Sequence, residues 1–261
     1  MESNSRDVFY ERLDDVFSRR GFATYRRIRR FLKNHSVVIN GKRALTGGAL
    51  LCLEHDSIFI DGEPASITPD IFIMMNKPAG FVCSTKSEKA TPSIFELIPP
   101  ELKDYDECGS LPGTLHTVGR LDADTEGLLI FTTNGDFSHR VSMPQGHRKK
   151  TYRIVLEKPC PLEEQDLWKE KCRTGIFMPR EWNSPSFKSL PSEIEFSSET
   201  ECKLTVSEGK YHQVKRMIQA LGNKVLHLKR QSIGSLNLDE KLAPGKWRHL
   251  TQQEICAVLH D

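Results

Sequence analysis

Leu128–Thr133 (LLIFTT) is an unbroken apolar and β-favouring run, and it predicts a buried strand. That strand constrains the residues on either side of it. Gly127 closes a tight polar loop, Ala123–Glu126, and the short extended run Thr117–Leu121 delivers Asp122 to the start of that loop. On the far side Asn134-Gly135 turns the chain, and Asp136 is placed to cap a short helix that stops before Pro144. Three acids, Asp122, Asp124 and Glu126, therefore sit between strands, where a rigid scaffold often presents catalytic groups. The same composition also describes an acidic, solvated turn.

The 261 residues allow a small domain beside one larger core. No apolar run approaches the roughly 18–20 residues of a membrane-spanning helix. MESNSRDVFY at the N-terminus lacks the apolar segment of a signal peptide. Seven cysteines are scattered without a C-x-x-C pair, which reads as reduced, packed thiols of a cytoplasmic protein. The nine histidines show no metal spacing, and there is no Gly-rich phosphate loop or nucleophile elbow. Neither a metal nor a cofactor is expected, so the chemistry must come from side chains. The net charge of +2 conceals an uneven distribution. Residues 1–50 hold 11 Lys or Arg against 5 Asp or Glu, whereas the rest hold 26 against 30. A basic head on a slightly acidic body suggests a module that docks on phosphate.

Residues 1–10 read as a loose leader, and residue 11 onward predicts two short helices and a hairpin. Leu13, Val16 and Phe17 share one face of the first helix, which Gly21 ends. Ile28, Phe31 and Leu32 form the apolar seam of the second, with Arg26, Arg27, Arg29, Arg30 and Lys33 mainly on its exposed side. Val37–Ile39, the Asn40-Gly41 turn and Lys42–Ala44 make the hairpin, and Ser57–Ile60 a last strand. Residues 63–70 have linker composition. Ile71–Met75 is then a strand, and residues 86–115 form a long polar connection with one short helix near Ser93–Leu97. Thr151–Leu156 alternates, with Tyr152, Ile154 and Leu156 on one face. Residues 160–172 predict an amphipathic helix and 173–201 a strand-rich excursion. Lys203–Val206 is a strand running into Glu208-Gly209. The next helix has Val214, Met217, Ile218 and Leu221 on its core stripe and Gly222-Asn223 as its stop. Lys215 lies about 100° off that stripe. Residues 224–250 read as further strands, and Gln252–Leu259 as a final helix.

Gly119-Arg120-Leu121-Asp122, followed by Thr125 and Gly127, resembles the signature of RNA pseudouridine synthases, closely so for the bacterial RsuA-type branch. Asn76-Lys77-Pro78-Ala79-Gly80 is similar to the family's first motif, Lys150-Thr151-Tyr152 to its tyrosine motif, and residues 208–217 (EGKYHQVKRM) to its third. All occur in the family's order over residues 71–250, behind an S4-like RNA-binding region. The resemblance implies an α+β fold, with a small helix-hairpin S4-like domain at residues 11–62 and a larger domain at 71–261. The larger domain would carry a mostly antiparallel sheet flanked by helices. Asp122 would be the nucleophile, Lys215 its basic partner, and Tyr152 the ring beneath the target uracil. Arg120 would fill the position that the flipped base vacates, and His212 would meet the substrate. Lys77 is either a phosphate contact or part of the cleft wall. The head would bind RNA through Arg12, Arg26, Arg27, Arg29, Arg30, Lys33 and Lys42, although Tyr25 replaces the small hydroxyl residue usual at its position. The wording YHQVKRM favours a small-subunit (16S) ribosomal RNA target over a large-subunit (23S) one. The partner would be ribosomal RNA in a subunit or assembly intermediate, and the enzyme a monomer.

Pseudouridine formation suits a site without cofactors. The N1–C1′ bond breaks, the base rotates, and the link reforms at C5, an isomerisation that one regenerated carboxylate can serve. That carboxylate must stay ionised as water leaves, which requires an adjacent cation such as Lys215 near a helix N-terminus. Tyr152 can stack on the uracil and help the proton transfer at C5. Attack at C6, attack at C1′ and elimination all remain open. Paired acids in a β-rich cleft also describe a glycoside hydrolase, but only 8% of residues are aromatic and the head is basic. An inactive RNA-binding relative is the other alternative, against which stands the joint presence of Asp122, Tyr152 and Lys215. Asp124 and Glu126 read as loop-shaping or solvated acids.

Overall fold

The computed structural model describes residues 8–260 apart from 66, 68, 89, 103–114, 144–147 and 182–184. Most of the expected leader and much of the long polar connection lie outside the described residues.

The head contains helices α1 (Leu13–Arg19) and α2 (Ile28–Asn34) and strands β1 (Val37–Ile39), β2 (Lys42–Arg43), β3 (Ile58–Ile60) and β4 (Glu63–Pro64). Leu13, Val16 and Phe17 pack with Ile28, Leu32, Val37 and Ile39 in one core. Both hairpins turn on two left-handed residues, Asn40-Gly41 and Asp61-Gly62, whose twist matches the flanking strands. The second hairpin carries the head's sheet, in the order β2-β1-β3-β4, into the stretch read as linker. Phe9, read as part of a loose leader, instead sets its ring edge against Phe72 at 5.7 Å, and its N–H donates to Gln252 Oε1.

The body is built on strands β5 (Phe72–Lys77), β6 (Glu126–Thr132), β7 (Lys150–Leu156), β8 (Glu193–Ser198), β9 (Glu201–Val206), β10 (Val225–Ile233) and β11 (Trp247–His249). They form a mixed sheet in the order β8-β9-β7-β10-β6-β5-β11, antiparallel except where β10 meets β6. Helices α3 (Gly135–Ser142), α4 (Leu162–Thr174), α5 (Gln213–Ala220) and α6 (Gln252–His260) complete it. All but the last residue of the run LLIFTT lies on β6, which shows no polar alternation because both faces are covered. Leu129 and Phe131 share one core with Trp168 of α4 and Met217 of α5. Leu128 and Ile130 share another with Phe137 of α3 and Ile255 of α6. In β7 the alternation is clear, with Tyr152, Ile154 and Leu156 buried and the residues between them half-buried. Asn134, not Asp136, caps α3: its side-chain oxygen accepts from the Phe137 N–H at 2.8 Å. Asp136 is drawn to Arg19 instead, at 3.2 Å. The expected helix near Ser93 is a 3₁₀ turn, Ile94–Leu97, closed by a Ser93–Glu96 capping box. Among the described residues no helix is long and apolar enough to cross a membrane.

Head and body are joined through Asp70, at the end of the stretch read as linker. Its carboxylate accepts from Arg19 at 3.0 Å, Asn134 at 2.9 Å and Thr133 at 3.0 Å, and lies 3.5 Å from Arg20. Glu11 completes the cluster, bonded to Arg19 and Asn134. Burial pushes the Glu11 carboxyl above its ordinary range, even with Arg19 opposing.

Gly127 occupies the parallel junction, opposite Arg230 on one side and Lys77 on the other. Its φ is +102°, and a Cβ there would stand 2.2 Å from the Arg230 carbonyl oxygen. Gly119 is also left-handed (φ +69°) but faces open space. Gly127→Ala is therefore expected to destabilise the fold by about 3 kcal/mol or more, and Gly119→Ala by about 1 kcal/mol. Paired thermal melts of the two variants check this, and equal losses would remove the steric role given to Gly127.

Candidate active site

The loop that carries Asp122 is held from beneath. Lys77 at the end of β5 is 0% exposed, and its ammonium donates to the carbonyls of Pro78 (3.0 Å), Ala123 (3.2 Å) and Thr125 (2.9 Å). Burial pushes its pKa below the ordinary lysine value, although Cys83, Asp124 and Asp122 nearby pull the other way. The Gly80 N–H adds a bond to Ala123 O at 2.8 Å, and Thr125 N–H closes the turn onto Asp122 O at 3.1 Å. Leu121 N–H points at Cys83 Sγ, 3.4 Å away. Of the two roles open to Lys77, the structure excludes the substrate contact: an ammonium enclosed by three carbonyls has no surface for a phosphate. Lys77 instead braces the loop that carries Asp122.

Above this loop, α5 brings its first turn to the carboxylate. Lys215 Nζ donates to Asp122 Oδ2 at 2.9 Å and to Asp124 Oδ1 at 2.5 Å. Burial lowers the Lys215 pKa, but its bonds to the two aspartates outweigh that and hold it above the ordinary value. Burial likewise raises Asp124, and the Lys215 bond overcomes it, so Asp124 ends below the usual carboxylate range. His212 precedes the helix in a left-handed conformation (φ 48°), costly for a side chain with a Cβ. That conformation sets its Nε2 3.6 Å from Asp122 Oδ1. Both carboxylate oxygens of Asp122 thus face a basic group.

A cavity of about 200 Å³ opens beside Asp122, lined also by Arg120, Tyr152, His212 and Lys215. Tyr152 is nearly buried, and Arg120 is exposed at the mouth. Arg216 anchors α5 from behind. Its guanidinium donates to Pro179 O at 2.6 Å and lies 4.8 Å from the Phe187 ring centroid. Among the described residues no group of three or more His, Cys, Asp or Glu side chains could hold a metal ion.

The sequence-predicted residues Asp122, Tyr152, Lys215, His212 and Arg120 therefore converge, while Lys77 is excluded from the cavity. Asp124 is not merely solvated: it shares Lys215. Glu126 pairs with His227 at 2.8 Å, a partner that no motif marked. In the head, Arg26, Arg27, Arg29, Arg30, Lys33 and Lys42 are exposed, as expected. Arg12 differs, because its guanidinium forks onto Asp14 at 2.9 and 2.6 Å, and its charge is already matched.

A carboxylate held by a lysine beside a cavity that a tyrosine also lines can add to a ring that enters it. The fold and this site define an RNA-modifying isomerase: the chain belongs to the RNA pseudouridylate synthase family, whose model matches residues 71–220. Ribosomal small subunit pseudouridine synthase A of Yersinia pestis is 37% identical over 249 residues, covering 95% of this chain and 97% of that protein. The enzyme of the same name from Vibrio cholerae is 39% identical over 211 residues, 81% of this chain and 84% of its own. A crystal structure of a pseudouridylate synthase superposes with a TM-score of 0.62 at 35% identity, covering 95% of this chain and 99% of that one.

Lys77→Met is expected to leave three buried carbonyls without a donor, lowering stability by about 3 kcal/mol and slowing turnover through a loosened loop. The salt dependence of RNA binding should not change, because no phosphate contact is lost. A reduced salt slope in a binding series would return Lys77 to the RNA-contacting set.

Proposed function

We propose that the chain converts a uridine of small-subunit (16S) ribosomal RNA to pseudouridine, with Asp122 as the nucleophile. The observation that carries the reading is the Lys215–Asp122 bond of 2.9 Å beside a cavity that Tyr152 also lines. The choice of subunit rests on near full-length similarity to enzymes named for the small subunit. Lys215 keeps Asp122 anionic as the base displaces water. Tyr152 stacks on the uracil, His212 contacts it, and Arg120 at the mouth occupies the gap left in the RNA. The head, read as residues 11–62 and extended by its last strand to residue 64, acts as an S4-like RNA-binding domain, the rest of the stretch to residue 70 as the connection, and 71–261 as the catalytic domain. The protein works as a monomer in the cytoplasm, on ribosomal RNA within a subunit or an assembly intermediate.

Asp122→Asn is close to isosteric but not anionic, and it is expected to cut turnover by more than about a thousandfold while RNA affinity and melting behaviour persist. Nucleoside chromatography of digested 16S and 23S RNA, after incubation with each protein, reads the outcome. Pseudouridine formed by the pure variant would remove Asp122 from its role, and product only in 23S RNA would redirect the substrate.

The head's contribution can be separated from the chemistry. Arg26 and Arg30 are exposed and make no ion pair among the described residues, unlike Arg12, Arg19 and Arg20. Arg26→Ala combined with Arg30→Ala is expected to weaken RNA binding and to flatten its salt slope by roughly 1.4 to 1.8, two phosphate contacts' worth. Single-turnover rates at saturating RNA should not move. A binding series with an unchanged slope would leave this helix face merely solvated.

A further inference from the structure

Two cations on the cavity lining take no part in the Asp122–Lys215 arrangement. Lys150 lies two residues before Tyr152 on β7, hence on the same face of the strand, and Arg230 is the cross-strand partner of Tyr152 on β10. All three line the cavity. Arg230 is 3% exposed. Its Nε donates to Leu128 O at 2.8 Å, but its Nη2 is buried with no hydrogen-bond partner among the described residues. A buried guanidinium N–H without an acceptor costs stability, and native structures seldom keep one without a reason. Lys150 Nζ donates to the Arg148 carbonyl at 3.2 Å, which uses one of its three donors. Burial, then the charges of Arg230 and Arg148, push its pKa down to about 8, and no carboxylate opposes them. Lys150 and Arg230 thus make no ion pair among the described residues, and one guanidinium donor of Arg230 has no acceptor there.

We propose that Lys150 and Arg230 form the subsite that receives the carbonyl oxygens of the uracil ring as they become negative during the reaction. This rests on the reading of Asp122 given above. The RNA backbone is a poor candidate for the subsite, because Arg230 lies almost wholly beneath the surface, where a flipped base reaches and a phosphate flanked by neighbouring nucleotides does not. The ring, in contrast, becomes anionic by each open route. If Asp122 adds at C6, the C5–C6 π pair moves onto O4 as an enolate. If Asp122 attacks C1′, or a C2′ proton is lost in elimination, the N1–C1′ pair leaves with the base and spreads over O2 and O4. On the C6 route the N1–C1′ bond then breaks, C5 bonds to C1′, and Asp122 leaves C6 as the C5 proton departs; on the C1′ route C5 displaces Asp122 from C1′; after elimination C5 bonds to C1′ as C2′ regains its proton. In each case the charge is withdrawn from the oxygens, C5 loses its proton and N1 gains one. Lys150 and Arg230 keep their own protons throughout. Charge that exists only in transit is where fixed donors accelerate a reaction most.

Lys150→Met tests the subsite without touching Asp122. Single-turnover formation of pseudouridine at saturating RNA is expected to fall about a hundredfold, with RNA affinity unchanged. Melting temperature should hold or rise, since a buried charge is removed, and Lys150→Arg should recover much of the rate. A structural role for Lys150 would instead lower the melting temperature and the rate together. A second measurement uses the free bases: 5-nitrouracil, which is ionised near neutral pH, should bind the wild-type protein more tightly than neutral uracil, and Lys150→Met should lose that preference. A wild-type rate in Lys150→Met, or equal affinity for the two bases, overturns the proposal. If Asp122→Asn is inactive at the same time, only the subsite fails; if Asp122→Asn is active, the underlying reading fails first.

Discussion

The buried ammonium of Lys77 is the contact on which the catalytic loop depends. Removing a charge from water is among the larger penalties in a folded chain, and it is tolerable only when the charge is fully hydrogen-bonded. Three backbone carbonyls supply those bonds, two of them, Ala123 O and Thr125 O, in the loop after Asp122. The loop therefore cannot relax without stranding the ammonium. Gly127 applies the same logic at the loop's end, where only a residue without a Cβ allows β6 to meet the backbone of Arg230. Asp122 is consequently presented from a turn whose two ends are set by different penalties, one electrostatic and one steric.

On this rigid base the charges are arranged unequally. Lys215 is shared between a partly buried aspartate and an exposed one, Asp124, whose side chain is 73% accessible. Asp124 helps to keep Lys215 charged and oriented while the cavity is open, yet it can turn to solvent at little cost. Asp122 is more enclosed, and its second oxygen faces His212. As a base enters and water leaves, the Lys215–Asp122 attraction strengthens with the falling dielectric. The exposed pairing gains less, since its aspartate stays in water.

Elements with a repeating pattern were legible in the sequence. The seam of α2, the alternation of β7, the stripe of α5 and the Asn40-Gly41 turn each follow from a period or a turn residue, and each is present; the second hairpin, at Asp61-Gly62, lay in a stretch read as strand end and linker. Asp122, Lys215 and Tyr152 were legible because motif wording marks them, and they meet around one cavity. What escaped were contacts with no local signature. Asp70 sits in a segment with linker composition and nonetheless gathers Arg19, Arg20, Thr133 and Asn134. The displacement of Asp136 from a capping role follows from that same cluster, since Arg19 claims its carboxylate.

The misreadings share a cause that bears on how the two domains cooperate. Arg12, Arg19 and Arg20 contribute to the head's basic count, yet each is matched by an acid, and Asp70 matches two of them across the junction with the body. Composition cannot distinguish cations that hold the domains together from cations left for RNA. The structure does so by position: Arg19 at the end of α1 and Arg20 just after it turn toward Asp70, whereas α2 turns its arginines toward solvent. A head clamped at Asp70 has less freedom to swing. On the proposed reading, in which RNA docks along α2, it is held in a restricted orientation relative to Asp122, and binding energy gained far from the reacting base can position that base.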